Sequence, residues 1–188
     1  MYILFIALTI LHLHARFHLP YLEQRPEAVS IPDKLLDILP VADMSNVICL
    51  LTVAVPALVT YQHFFDGRGV ADVELFWLEY ALCILIKTFT TFLLPLNVPK
   101  GYIPLTDPAT HLFSRSETIF GKDLFFSGHT VLMYLCCLHV TWYKLLVYSS
   151  MVVLPVLLMI NRVHYTIDIA IAPFIGYACH RFVQEFVA

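Results

Sequence analysis

The chain has 188 residues, of which 60% are hydrophobic and 13% charged, and its mean hydropathy is +0.79. A soluble domain of this length cannot hide so much apolar surface from water, so the composition places the chain in a bilayer. A formal net charge of -3 gives no basic excess to track a phosphodiester backbone, and no RNA-recognition or helix-turn-helix pattern is present, which argues against nucleic acid as a partner.

A bilayer crossing needs about 20 apolar residues. On that rule the sequence predicts an all-α, polytopic membrane protein with six transmembrane helices, over residues 1–19, 45–64, 73–94, 124–142, 145–163 and 166–187, in one integral membrane domain (1–188) with no soluble domain left over. The first stretch, MYILFIALTILHLHARFH, has neither a basic start nor an A-x-A-like cleavage site, so a retained helix is expected rather than a removable signal peptide. His12, His14, Arg16 and His18 crowd its second half. Pro56, Pro155 and Pro173 fall inside predicted spans, where neighbouring helices can re-satisfy the carbonyls that a missing N–H frees. The fourth and fifth spans are one apolar tract, divided at Trp142-Tyr143-Lys144 because amphipathic aromatics and lysine prefer the headgroup zone. Lys87, near the end of the third span, is placed to snorkel to headgroups or to touch a phosphate. The five cysteines (Cys49, Cys83, Cys136, Cys137, Cys179) lie in apolar surroundings without CxxC spacing and read as buried thiols.

Two polar clusters interrupt this pattern. Residues 125–130 read FFSGHT, a polar triplet at the mouth of an apolar run. Ser127 and Gly128 at a helix start offer backbone N–H groups and a positive dipole end, a cradle for phosphate oxygens, and glycine lets the backbone approach closely. His129 can supply the proton that an alkoxide leaving group needs. The second cluster, NRVHYTIDIAIAP (161–173), sets His164 and Asp168 four apart on one helical face. A carboxylate bonded to one ring nitrogen holds the other in the tautomer needed for attack. Alternate crossing brings both histidines to one membrane face, with the two longest polar connections, 20–44 and 95–123. The most economical substrate is a phosphate ester whose tail remains in lipid.

Around this core, Arg115, Lys122 and Arg162 can balance phosphate charge. Asp123 suits either an N-terminal cap or a contact to a cationic headgroup. Tyr165, with Tyr102, Phe120, Phe125 and Phe126, can line a cage for a quaternary ammonium, and interfacial packing explains these aromatics equally well. The histidines outside the two clusters (His12, His14, His18, His63, His111, His139, His180) read as structural. His14 and His18 have a metal-compatible spacing without a third ligand, so neither a metal nor any other cofactor is expected.

DLFFSGHT (123–130), followed about one helix hairpin later by HYTIDIAIA (164–172), resembles the sphingomyelin synthase branch of the type 2 phosphatidic acid phosphatase superfamily, whose signatures are D-x-x-x-S-G-H-T and H-Y-T-x-D-x-x-x-A. SIPDKLLD (30–37) and TTFLLPLNVP (90–99) are similar to two weaker signatures, so the resemblance covers residues 30–172 in the family's order. It implies a six-helix bundle in which His164 is the nucleophile, Asp168 its orienting carboxylate and His129 the second catalytic histidine. The implied donor is a phospholipid such as phosphatidylcholine, and the acceptor a ceramide-like or diacylglycerol-like hydroxyl. The implied site faces the exoplasmic side. Lysine and arginine gather on that face and by the positive-inside rule would make it cytoplasmic, but cations beside a phosphoryl site have their own reason to be there.

The chain departs from the family at Gly121-Lys122, where C-G is common, and at Leu158, where the superfamily's phosphatases carry arginine. The missing arginine argues against an ordinary phosphatase. A lipid phosphate phosphatase, with water as acceptor, and a non-catalytic lipid carrier or scramblase remain the alternatives.

Overall fold

The structure, a computed structural model, describes residues 2–25, 28–66, 69–105 and 121–187. Arg115, His111 and Phe120 lie outside the described residues. Among the described residues the protein is all-helical: α1 (Tyr2–Leu13), a π-helical segment (His14–His18), α2 (Leu19–Gln24), α3 (Lys34–Ile38), α4 (Ser45–Phe65), α5 (Val70–Leu93), α6 (Gly128–His139), α7 (Lys144–Ile160) and α8 (Thr166–Phe186). One isolated parallel bridge joins Val29 to Leu96.

The first rod runs without a break from Tyr2 to Gln24, longer than the expected 1–19. His14 and His18 of its second half turn toward α5, while His12 stays exposed. His14 Nδ1 meets Thr88 Oγ1 at 2.7 Å, and His18 Nε2 meets Thr91 Oγ1 at 2.8 Å. The rod therefore presses its polar face onto α5 and turns residues such as Phe5 outward. Among the described residues three helices are long and apolar enough to cross a membrane: Tyr2–Gln24, Ser45–Phe65 and Val70–Leu93. Pro56, Pro155 and Pro173 all sit inside helices, as expected.

The expected fourth span, 124–142, is helical only over Gly128–His139. At 1.5 Å per residue this is about 18 Å, well short of the roughly 30 Å hydrocarbon core. Gln62 of α4 defines where it stops. Its Nε2 donates to the His139 carbonyl at 3.0 Å, while its Oε1 accepts the N–H groups of Thr141 and Trp142 at 3.1 and 3.0 Å. One amide side chain thus satisfies three backbone groups that a continuing helix would have satisfied itself. Tyr143, at φ 54°, then turns the chain into α7.

α6 can be short because it is enclosed. It packs against α4, α5, α7 and α8, and Val131, Leu132, Met133, Leu135 and Cys136 are all buried. The remaining core comes from the helices around it, including Val59, Phe76, Val147, Leu154 and Ala172. Outward-facing residues such as Leu145 (83% exposed) and Phe174 (72%) are large and apolar, the pattern of a surface meant for hydrocarbon rather than water. α7 is 17 residues long, and α8, at 21, carries Asp168 near its start and His180 and Arg181 toward its end.

α6 and α8 approach each other closely at Gly176. A Cβ added at Gly176 of α8 would lie 2.9 Å from Tyr134 Cδ1 and 3.0 Å from Val131 Cγ2 of α6. Gly176→Ala should therefore push the two helices apart and cost about 1–3 kcal/mol, the usual penalty of overpacking. A lowered melting temperature of the detergent-solubilised variant would register it, and an unchanged melting temperature would contradict the close approach.

Candidate active site

α6 begins at Gly128 because Ser127 caps it, accepting the Thr130 N–H at 3.2 Å and the Thr130 hydroxyl at 3.0 Å on Oγ. α8 begins at Thr166 with Asp168 in its first turn, where Oδ2 accepts the Tyr165 N–H at 3.1 Å. The Ser127 N–H donates to the Asp168 carbonyl at 3.0 Å, so the two helix starts are stitched together. His129, the second residue of α6, and His164, just before α8, consequently meet with ring centroids 6.2 Å apart and planes at 64°.

His164 is buried, and its Nδ1 lies 3.3 Å from Asp168 Oδ2. The carboxylate accepts the Nδ1–H, which leaves the lone pair on Nε2. Asp168 is itself fully buried, and its Oδ1 has no hydrogen-bond partner among the described residues. An acceptor left in that state costs stability, and such exceptions gather at functional sites.

The two rings border a cavity of about 60 Å³ whose wall also includes Tyr102, Gly121 and Asp123. That is room for a few water-sized groups. A larger apolar groove, about 620 Å³, runs between the first rod and α5 beside Leu13, Phe17, Leu85 and Phe92. The paired histidines and a carboxylate converge on the smaller cavity.

Of the expected binding residues, Asp123 reaches the cavity, but it does not cap α6; Ser127 has that role. Asp123 Oδ2 pairs with Lys87 Nζ at 2.9 Å. Burial pushes its carboxyl up, yet the Lys87 charge and the nearby His14 outweigh that and hold it ionised, well below the usual carboxylate range. Lys87 is only 1% exposed, and its Nζ also donates to the Asp123 and Phe126 carbonyls at 2.9 and 2.8 Å. All three ammonium protons are thus taken, so Lys87 neither snorkels nor reaches for a phosphate; it anchors the strap leading into SGHT.

The others are turned to structural tasks. A Cβ at Gly128 would meet Ile84, Lys87 and Tyr80 at 3.6–3.9 Å, so that position faces α5 instead of the cavity. Arg162, at φ 59° and buried, donates from Nη2 to the Leu39 carbonyl at 2.8 Å, because the turn after α7 aims it at the segment following α3. The Tyr165 hydroxyl donates to the Asn97 carbonyl at 3.0 Å. Lys122 Nζ donates to the Glu23 and Arg25 carbonyls at 3.2 and 2.8 Å.

Several supporting residues escape the sequence reading. Asp33 Oδ2 accepts the Thr166 N–H at 2.6 Å, and its Oδ1 accepts the Thr166 hydroxyl at 2.9 Å, joining SIPDKLLD to HYTID. Glu23 Oε1 accepts the Lys122 N–H at 2.7 Å. Asn161 accepts the Met44 N–H at 2.6 Å and donates to the Ile103 carbonyl at 2.9 Å. Asp33 and Asn161 stood inside quoted motifs and carried that signal, whereas nothing local marks Glu23. Compared with protein-family models, curated proteins and solved structures, the chain finds no match.

Burial raises the Asp33 carboxyl, but the hydrogen bonds from Thr166, Leu36 and Leu35 outweigh it and hold the group below its ordinary value. A depressed folded pKa contributes stability that is complete above the unfolded value of about 4 and is lost as pH falls through the lower folded value. Thermal stability of the wild type should accordingly decline in acid below about pH 4. Asp33→Asn should lose about 1–2 kcal/mol at neutral pH and decline less steeply in acid. Parallel acid limbs for the two proteins would rule out this role.

Proposed function

We propose that the chain is a membrane lipid phosphotransferase that moves a phosphoryl headgroup, foremost phosphocholine, from a glycerophospholipid to a ceramide-like or diacylglycerol-like hydroxyl through a phosphohistidine. The observation that carries this reading is the pair of histidine rings, 6.2 Å apart on one cavity, with His164 braced by Asp168. A phosphorus about 3–3.5 Å from His164 Nε2 and a leaving oxygen about 3 Å from His129 fit between rings at that spacing.

In the first displacement the Nε2 lone pair attacks phosphorus. The N–P bond forms as the P–O bond to diacylglycerol breaks, and protonated His129 delivers its proton to the departing oxygen. In the second, neutral His129 takes the proton of the acceptor's primary hydroxyl as that oxygen attacks phosphorus. The N–P bond breaks, the electron pair returns to Nε2, and both histidines regain their starting states. The positive end of α6, where His129 sits, would favour the negative charge carried by the phosphoryl oxygens.

Asp123 borders the cavity but is paired, its Oδ2 with Lys87 at 2.9 Å and its Oδ1 3.8 Å from His14 Nε2, so a choline ammonium is left to the Tyr102 ring on the same wall. In this reading the helices form the six-crossing bundle of the type 2 phosphatidic acid phosphatase kind. The lipid tails stay along the apolar outer surface, and the site faces the exoplasmic side.

The test supplies purified protein with headgroup-labelled phosphatidylcholine, with and without ceramide, and follows the product by lipid mass spectrometry. Transfer to ceramide is expected, with turnover lost in His164→Ala and reduced about 10³–10⁴-fold in Asp168→Asn, the usual effect of losing a tautomer-fixing carboxylate. Headgroup release indifferent to ceramide would make the protein a phosphatase. Undiminished lipid movement by His164→Ala would make it a carrier.

A further inference from the structure

At the other end of the bundle, Glu79 of α5, His139 at the end of α6 and His180 of α8 converge. His139 is ten residues along α6 from His129, about 15 Å at helical rise, so this cluster is separate from the cavity described above. His139 Nε2 lies 2.7 Å from Glu79 Oε2, and His180 Nδ1 lies 3.0 Å from Glu79 Oε1. One ligand atom from each of the three residues falls within 4.8 Å of the other two. Nothing in the local sequence announces the group, because its members come from three helices and no two share a motif.

We propose that Glu79, His139 and His180 bind one divalent transition-metal ion, Zn²⁺ by ligand chemistry. Two imidazoles and one carboxylate form a three-ligand set that suits zinc and leaves a fourth position for water. Zn–N bonds of about 2.0–2.1 Å and Zn–O bonds of about 2.0–2.2 Å separate the N and O ligands by roughly 3.3 Å in tetrahedral geometry. The two imidazoles now touch different oxygens of Glu79, so a site with one carboxylate oxygen forms when Glu79 rotates and the three ligand atoms, now within 4.8 Å of one another, draw in to about that spacing. Coordination uses the lone pairs of His139 Nε2 and His180 Nδ1, with each N–H moving to the other ring nitrogen, and any proton held on an imidazolium is released to solvent.

Glu79 is 0% exposed, and it already draws two imidazoles from separate helices onto its two oxygens, the convergence that an ion at their centre needs. Gln184 Nε2 donates to Glu79 Oε1 at 3.1 Å and orients the carboxylate from the second layer. The His139 ring is held edge-on by Phe76 and His63, with centroids 5.3 and 5.8 Å away, and the Gln62 amide fixes its backbone carbonyl. The His180 side chain is 22% exposed, so the cluster reaches the protein surface on that side. A bound ion would bolt α5, α6 and α8 together at the end where α6 stops short.

Full-length protein in detergent, stripped with a chelator, is titrated with Zn²⁺, desalted and analysed for metal. About one Zn²⁺ per chain is expected, with a raised melting temperature, and Co²⁺ should give the visible bands of a four-coordinate site. His180→Ala, whose side chain is partly exposed, should fold and bind at least 10-fold more weakly; Glu79→Gln should do likewise where it folds. The His129→Ala/His164→Ala protein should bind like wild type. Wild type retaining no zinc, His180→Ala retaining a full equivalent, or the double variant losing its zinc would each overturn the assignment.

Discussion

The candidate site depends on one buried ammonium. Lys87 sits inside α5 and ties the Asp123 carboxylate and the carbonyls of Asp123 and Phe126 to that helix. A charge at this depth is tolerated only when every proton has an acceptor, and here the three acceptors all belong to the strap before α6. The strap's other end is held by Glu23 on the Gly121 and Lys122 N–H groups. With both ends fixed, Ser127 has one position from which to cap α6, and His129 follows from it.

A second tie sets the partner histidine. Asp33 and the Asp168 carboxylate divide the first N–H groups of α8 between them, and the Tyr165 hydroxyl reaches across to Asn97. Four stretches far apart in the chain, around residues 33, 97, 127 and 165, thereby become one polar platform beneath the two rings. The platform is made of backbone acceptors and capped helix starts, and these hold geometry at little entropic cost because few long side chains must be frozen.

The helices were legible to the extent that each carries its own cause. α4, α5, α7 and α8 lie close to their expected limits because apolar length and flanking polar residues are local properties. α6 is shorter than expected by several residues at both ends, since its limits are imposed by Ser127 on one side and by Gln62, from another helix, on the other. The histidine pair and Asp168 could be read from i, i+4 spacing and alternate crossing. Lys87, Arg162 and Tyr165 looked like ligands because charge and aromaticity near a motif suggest contact; whether such a side chain faces the cavity or the backbone behind it is decided by neighbours that sequence spacing does not reveal. The Glu79–His139–His180 cluster lay beyond reach for the same reason.

A 12-residue α6, packed against four neighbouring helices and stopped by another helix's amide, also bears on biogenesis. So short a segment is a poor candidate for partitioning into lipid by itself. Its backbone ends are sheltered by α4 and α5, two helices long and apolar enough to cross a membrane, so the segment that carries His129 is expected to take its place only once they stand around it.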